Sequence, residues 1–267
     1  GGALYLSNKY NISFTFFTFT GCPPVFGTYK VYGAPGAIQK ESMKQIKCRE
    51  QTKIWEEYVR VNKFDYVILS SRWNWLFEPR KYYDTKQRRD LLVDKSNPKF
   101  SVNESKKSFL HFIDYTIKII QTSGAQAIIF GQVPHSGKDL EGCDNIPKIL
   151  ISENSINRRC NHVPRMFVLQ RSEFSNTTIK NITSKNNALA VIPTDFFCKE
   201  NTEYCQIYYK GTRLKNDDDH INMYGSVYLA QKWEEHEEFP FKLAAKTNNH
   251  ITKASSGQLK AVPLVPR

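Results

Sequence analysis

The chain has 267 residues, a formal charge of +12, 40% hydrophobic residues and 24% charged ones. That balance is ordinary for a globular protein, and the length suffices for a real core in one large α/β domain or two small ones. No stretch approaches the roughly 18 consecutive apolar residues of a membrane-crossing helix. The chain also carries neither a charged-then-apolar leader nor an initiator Met, so it is expected to be a processed or excised piece.

The basic residues are scattered. Their densest group is Lys81, Lys86, Arg88 and Arg89, beside Tyr82 and Tyr83. None of the usual nucleic-acid modules is present, so no nucleic-acid partner is expected. An acidic glycan or a membrane surface explains the charge equally well.

In chain order, Gly1 to Tyr10 reads as the latter part of a helix, and Ile12 to Thr20 alternates apolar and Ser/Thr residues as a strand does. Gly21-Cys22-Pro23-Pro24 breaks that strand. Residues 38–61 read as a helix, and Phe64 to Ser70 as a short buried strand running into Ser71-Arg72-Trp73-Asn74-Trp75. The charged stretch Glu78 to Lys107 is expected to be loop-like, followed by a helix over Phe109 to Gln121. Ala125 to Gly131 reads as another strand, closed by Gln132-Val133-Pro134. An excursion at 135–165, a helix at 166–182 and a strand at Ala188 to Ile192 come next, and a last helix covers 222–236. Strands alternating with helices indicate parallel pairing in a three-layer α/β/α domain. In such sheets ligands bind where the C-terminal strand ends open into loops. The domain is expected to span 1–240, with 241–267 an irregular extension. Its final Leu264-Val265-Pro266-Arg267 matches what thrombin leaves behind, so part of it reads as an added tail.

Six cysteines lack metal-site spacing and fall into three short-range pairs, Cys22/Cys48, Cys143/Cys160 and Cys198/Cys205. These are expected to be disulfides, which implies an oxidising compartment. No set of His, Asp and Glu shows metal-ligand spacing either, so neither a metal nor a cofactor is expected.

The motif that carries chemistry is Asn216-Asp217-Asp218-Asp219-His220, just ahead of the last helix. An aspartate three residues before a histidine can fix the imidazole tautomer and stabilise the imidazolium formed in Ser/His/Asp catalysis. Acidic residues also favour a helix N-terminus for their charge alone, and Asp218 and Asp219 are read that way or as solvent-facing. His135-Ser136 has no strand-turn-helix elbow around it. His111, His162, His236 and His250 read as structural or exposed.

Taken in order, several fragments resemble the SGNH-hydrolase domain fused to bacterial membrane acyltransferases that O-acetylate surface polysaccharides. They are Gly21-Cys22-Pro23-Pro24, Val67-Ile68-Leu69-Ser70-Ser71-Arg72-Trp73, Gly131-Gln132-Val133-Pro134, Val191 to Cys198 with Cys205 downstream, and Asp217 to His220. The resemblance implies an SGNH (flavodoxin-like) fold with a mainly parallel sheet and a serine nucleophile in a Gly-Asp-Ser-His turn. Gly-Asp-Ser occurs nowhere in the sequence. By position that turn and the first, central strand should lie immediately before Gly1; a second fragment or a permuted order are the other arrangements.

On that resemblance His220 is the general base and Asp217 its orienting carboxylate. Gly21 supplies an oxyanion-hole N–H or is a plain turn glycine. Asn74 lies near the side-chain amide donor of SGNH enzymes, whereas the acyltransferase-linked subgroup places an Arg-Trp pair in that loop, here Arg72-Trp73, for substrate. Trp73 stacks on a sugar or caps the core. Ile221-Asn222 replaces the family's usual Leu-Ser, a less typical start for the last helix. The implied activity is acetyl transfer through a serine acyl-enzyme to a sugar hydroxyl of a bacterial surface polysaccharide such as O-antigen. The implied partners are an integral-membrane acyltransferase domain as acetyl donor and the polysaccharide acceptor. The implied location is periplasmic or extracytoplasmic, tethered to the inner membrane in the full-length protein. A carbohydrate acetylesterase, or a glycan-binding module using Trp73, Trp75 and tyrosines, are the alternatives.

Overall fold

The computed structural model describes residues 1–18, 21–33, 43–77, 89–94, 101–136 and 163–242. Its centre is a parallel sheet of three strands, β2 (Tyr66–Ser70), β4 (Gln126–Phe130) and β6 (Leu189–Val191), with β4 in the middle. Ile68 lies opposite Ile128, which in turn lies opposite Leu189. Parallel neighbours require crossovers long enough to hold a helix. Here α3 (Val102–Thr122) lies between β2 and β4, and α4 (Arg165–Lys185) between β4 and β6.

Strand periodicity explains the layers. Ala127 and Ile129 join Phe109, Ile113, Ile117 and Ile120 of α3 and Ile179 and Ile182 of α4 on one face. Ile128 joins Leu6 of α1 (Gly2–Tyr10) and Ala230 and Trp233 of α6 (Met223–Glu234) on the other, with Phe239 and Phe241. The three-layer α/β/α arrangement expected from the alternation of elements is therefore present. Glycine lets α1 approach α6 closely: the Gly2 N–H donates to Ser226 Oγ at 3.0 Å. Tyr5 Oη and Lys9 then hold Glu234, whose carboxyl drops to about 2 as these partners outweigh its burial.

Helix α2 (Met43–Val61) agrees with the periodicity over its described part, and α3 begins earlier than its apolar stripe indicated. Ser101 explains that start, since its hydroxyl accepts the Glu104 N–H at 3.1 Å as an N-cap.

Two expectations fail. The segment expected as a strand from Ile12 to Thr20 forms none through Thr18. It follows a left-handed Asn11 (φ 53°) and meets no ladder partner among the described residues, and alternation without a partner does not make a strand. Conversely, the charged stretch read as a loop contains β3 (Arg89–Asp94), antiparallel to β1 (Thr28–Gly33) from Thr28↔Asp94 to Gly33↔Arg89. Leu91, Leu92 and Val93 are buried there. Ser105 of α3 fixes the pair in place, accepting the Leu92 N–H and donating to the Leu76 carbonyl, both at 2.8 Å.

Short pairs complete the described chain: β5 (Val163–Pro164) with β7 (Tyr204–Cys205), and β8 (Tyr208–Tyr209) with β9 (Thr212–Arg213). A five-residue helix, α5 (Pro193–Phe197), follows β6. Disulfides Cys22–Cys48 and Cys198–Cys205 are formed as expected. Cys143 and Cys160 lie outside the described residues, as do Lys81, Lys86, Arg88, His162, His250 and 243–267 of the expected extension.

Candidate active site

The loop Asn216–His220 leads from β9 to α6 and is closed at its base by Asn216 N–H donating to the His220 carbonyl at 2.9 Å. Asn222 caps α6 by accepting the Gly225 N–H at 2.8 Å, while its Nδ2 donates to the Arg213 carbonyl at 2.8 Å. Asparagine thus does at this helix start what a serine cap would do.

Within the loop, Asp217 is folded back on its own backbone. Its Oδ1 accepts the N–H groups of Asp219 at 3.0 Å and His220 at 2.7 Å, and its Oδ2 lies 2.6 Å from His220 Nδ1. Burial opposes ionisation of Asp217, but the His220 ring and these two N–H donors outweigh it and hold the carboxyl well below the usual range. An ionised partner at Nδ1 places the ring proton there and leaves the Nε2 lone pair facing Arg72 Nη2.

Asp219, expected on the surface or at the helix cap, is instead 4% exposed. Its Oδ1 is 3.2 Å from His220 Nδ1, and its Oδ2 is 2.9 Å from Arg72 Nη1. The latter contact is an ion pair without hydrogen-bond alignment. Burial pushes this carboxyl up to about 6 against the pull of the Arg72 cation.

Arg72 leaves the end of β2, lies over the Trp75 ring at 4.1 Å and brings Nη2 against the His220 imidazole. Arg72, Asp217, Asp219 and His220 therefore form one group. The other expected residues stand apart from it. Trp73 is fully buried, packs its ring 5.5 Å from Phe109 and donates Nε1–H to the Phe130 carbonyl at 2.7 Å, so no sugar can stack on it here. Gly21 is exposed in a left-handed turn (φ 74°) next to the Cys22–Cys48 disulfide. No described contact joins it to His220.

Asn74 is buried in a polar seam that ties the three strand ends together. Its N–H donates to Gln132 Oε1 at 3.1 Å, and its Oδ1 accepts from Ser175 of α4 at 2.7 Å. Gln132 N–H in turn donates to Asn176 Oδ1 at 2.9 Å, and Asn176 Nδ2 reaches Thr194 after β6 at 3.1 Å. A side chain at Gly131 would begin 2.6 Å from Asn176 Oδ1, which is why glycine ends β4. Asn74 Nδ2 has no hydrogen-bond partner among the described residues.

A second seam underlies the Asn216–His220 loop and takes in His135 and Ser136, which no strand-turn-helix elbow marks in the sequence. His135 and Ser136 are buried. Ser136 donates both its N–H (2.7 Å) and its Oγ (3.2 Å) to the Asp218 carbonyl. Lys215, 1% exposed, donates to that carbonyl at 2.7 Å and to the Pro134 carbonyl. Burial lowers the Lys215 ammonium to about 8 despite the three aspartates. Arg171 Nη1 meets His135 Nδ1 at 3.1 Å, so the ring proton sits on Nε2, 3.3 Å from Asp218 Oδ2. Burial first, then Arg171, Lys215 and Arg72, lowers His135 to about 3 and keeps it neutral. The sequence signals for this seam were the adjacent His135-Ser136 and a lysine beside an acidic run. His111 and His236 are exposed, as expected.

Donor atoms of Asp217, Asp219 and His220, and of His135, Asp218 and Asp219, lie within 4.8 Å of one another, close enough to share a cation. Arg72 and Lys215 already bring positive charge to both groups.

No helix among the described residues is long and apolar enough to cross a membrane. No curated protein sequence matches the chain. Among solved structures, the periplasmic domain of the Salmonella ser. Paratyphi A lipopolysaccharide acetyltransferase is similar, with a TM-score of 0.56 and 16% identity over 88% of this chain and 76% of that one. At that identity the likeness is one of fold. The family model of the SGNH domain fused to AT3 domains matches residues 1–235, and with the Asp217–His220 pair in place at the strand ends, the chain belongs to that family.

Proposed function

We propose that this domain transfers an acetyl group, through a serine acyl-enzyme, to a sugar hydroxyl of a bacterial surface polysaccharide such as O-antigen. The observation that carries this reading is the 2.6 Å contact between Asp217 Oδ2 and His220 Nδ1 beside the end of β2. The family's fusion to AT3 domains supports a membrane acyltransferase as acetyl donor. Two disulfides and the periplasmic neighbour support an extracytoplasmic location, and the family's fusion to AT3 domains supports a tether to the inner membrane.

The serine comes from outside these 267 residues, because no Gly-Asp-Ser turn occurs within them. Its hydroxyl attacks the acetyl carbonyl while His220 Nε2, once Arg72 Nη2 moves off it, takes its proton. Collapse of the tetrahedral intermediate expels the donor's leaving group, which receives that proton from the imidazolium. In the second half the sugar hydroxyl gives its proton to Nε2, attacks the acyl carbonyl and releases the serine oxygen, which recovers the proton. The oxyanion of each intermediate needs aimed donors. Asn74 Nδ2, which has no hydrogen-bond partner among the described residues, and the Gly21 N–H fill that role once the serine segment is seated. Arg72 with Trp75 beneath it offers a cationic platform for the acceptor sugar.

The test is intact-mass analysis of the parent protein and its His220→Ala variant with a chromogenic acetyl ester and a polysaccharide acceptor. Trapped acyl on a serine outside this chain, lost in the variant, supports the reading. Acetyl found only as free acetate makes the domain a carbohydrate esterase. Turnover untouched by the variant sinks both.

A further inference from the structure

The Asp218–Asp219 peptide unit is pinned at both ends. Its carbonyl accepts Ser136 N–H at 2.7 Å, Ser136 Oγ at 3.2 Å and Lys215 Nζ at 2.7 Å. Its N–H, that of Asp219, donates to Asp217 Oδ1 at 3.0 Å. A peptide is planar, so the two ends move as one rigid plate. Whatever fixes the Asp218 carbonyl therefore fixes the donor that aims the Asp217 carboxylate, and that carboxylate sets the His220 ring at 2.6 Å.

Lys215 is the unusual member of this set. A buried ammonium is costly to desolvate and is retained only where its hydrogen bonds and neighbouring charges compensate. Here it bridges two loops, since Pro134 follows β4 and Asp218 precedes α6. It also lies under three consecutive aspartates whose charges would otherwise repel one another and spread the loop.

We propose that Lys215 is a positioning residue for the acyl-transfer step: its ammonium locks the Asp218–Asp219 peptide plane to the β4 loop and so holds Asp217 against His220. This rests on the reading of His220 as the base. It assigns Lys215 no contact with substrate, and it predicts that the lysine acts on the rate of the chemical step and not on binding.

The experiment compares the parent protein with Lys215→Met, which keeps the stem and removes the cation, and with Lys215→Arg, which keeps the cation. Three quantities are read: kcat and KM for the acetyl ester, the thermal unfolding transition, and the low-field Nδ1–H proton resonance of His220 in histidine-labelled protein. A displacement of about 1 Å at a catalytic group lowers rates on the order of 100-fold. Lys215→Met is therefore expected to lose about that factor in kcat with KM changed less than about twofold. Its His220 resonance should broaden or vanish while unfolding stays cooperative, and Lys215→Arg should recover part of both. A kcat within about twofold of the parent, or an unchanged His220 resonance, overturns the proposal. If Lys215→Met does not fold, Lys215→Gln, which removes the cation with a polar side chain, takes its place, and a sharp, unshifted resonance with full kcat in that variant overturns it equally. A parent that shows the resonance but transfers no acyl group refutes the acyl-transfer reading, while the resonance in the variants still decides the role of Lys215.

Discussion

Asp217 holds His220 from two directions at once: Oδ1 accepts the His220 backbone N–H at 2.7 Å while Oδ2 meets the ring Nδ1 at 2.6 Å. One carboxylate thus sets both where the residue starts and how its ring turns. Asp217→Asn keeps the shape and can keep the backbone contact, but its amide presents N–H to Nδ1 and drives the ring proton onto Nε2. A base protonated at the attacking nitrogen cannot accept the serine proton. We expect kcat for acetyl ester to fall by about 10³–10⁴-fold with the unfolding midpoint little moved. A variant within about tenfold of the parent would show that Asp217 only caps the loop.

This pair was legible in the sequence because it is local: three residues separate its members, and a short loop leaves few ways to arrange them. The central strands were legible for a related reason, since Tyr66–Ser70 and Gln126–Phe130 are short apolar runs bounded by turn residues. What escaped depends on distant partners. Arg89–Asp94 is charged at both ends, and its strand character comes from Thr28–Gly33 and from Ser105 beneath it. Ile12 to Thr18 has the alternation of a strand and, among the described residues, no ladder to join. Asp219 and Lys215 look like surface charges until Arg72, Pro134 and Ser136 arrive from other strand ends and enclose them.

Arg72 keeps the buried Asp219 carboxylate compensated, so its removal should be felt through pH. Burial already raises Asp219 to about 6, above its ordinary 3.8, with Arg72 pulling the other way. A carboxyl raised in the folded state binds protons there before it does in the unfolded chain, so acidification through that window relieves the native state. Arg72→Met should therefore cost about 3 kcal/mol at pH 8, where Asp219 is charged and has lost its paired cation. The deficit should shrink toward pH 5. Urea melts of parent and variant at the two pH values measure it, and a deficit independent of pH would place the Arg72 contribution in its packing on Trp75.

His135 should contribute the opposite slope. Its folded value of about 3 lies below the ordinary 6.5, so the unfolded chain takes up a proton where the native state refuses it. Stability from this group is complete above about 6.5 and is lost as the pH falls toward 3. Asp219 offsets part of that loss between 6 and 3.8, so the variant comparison carries the signal and the parent curve alone does not. His135→Asn removes the titrating ring. It is expected to be less stable than the parent at pH 7 and to lose less stability between pH 7 and pH 4. Parallel curves for the two proteins would mean that His135 titrates normally.

Gly225 opens α6 against the segment that feeds the Asn216–His220 loop. A Cβ there would stand 1.9 Å from the Leu214 carbonyl oxygen and 3.2 Å from Ile221 Cβ. Alanine inside a helix is ordinarily worth about 1 kcal/mol over glycine, yet here the obstacle is backbone and cannot rotate away. Gly225→Ala should destabilise by about 3 kcal/mol, the upper part of the range for overpacked sites. The damage should also reach activity, because the Leu214 carbonyl accepts the Asn222 N–H at 3.0 Å and Lys215 is the next residue. Moving Leu214 aside shifts the cap of α6 and the root of the lysine together. Gln231→Ala, at an exposed position on the same helix, should change stability by less than about 0.5 kcal/mol and leave kcat intact. If Gly225→Ala instead matched that control, α6 would have to slide freely against Leu214, and the close approach that places His220 would not constrain the loop.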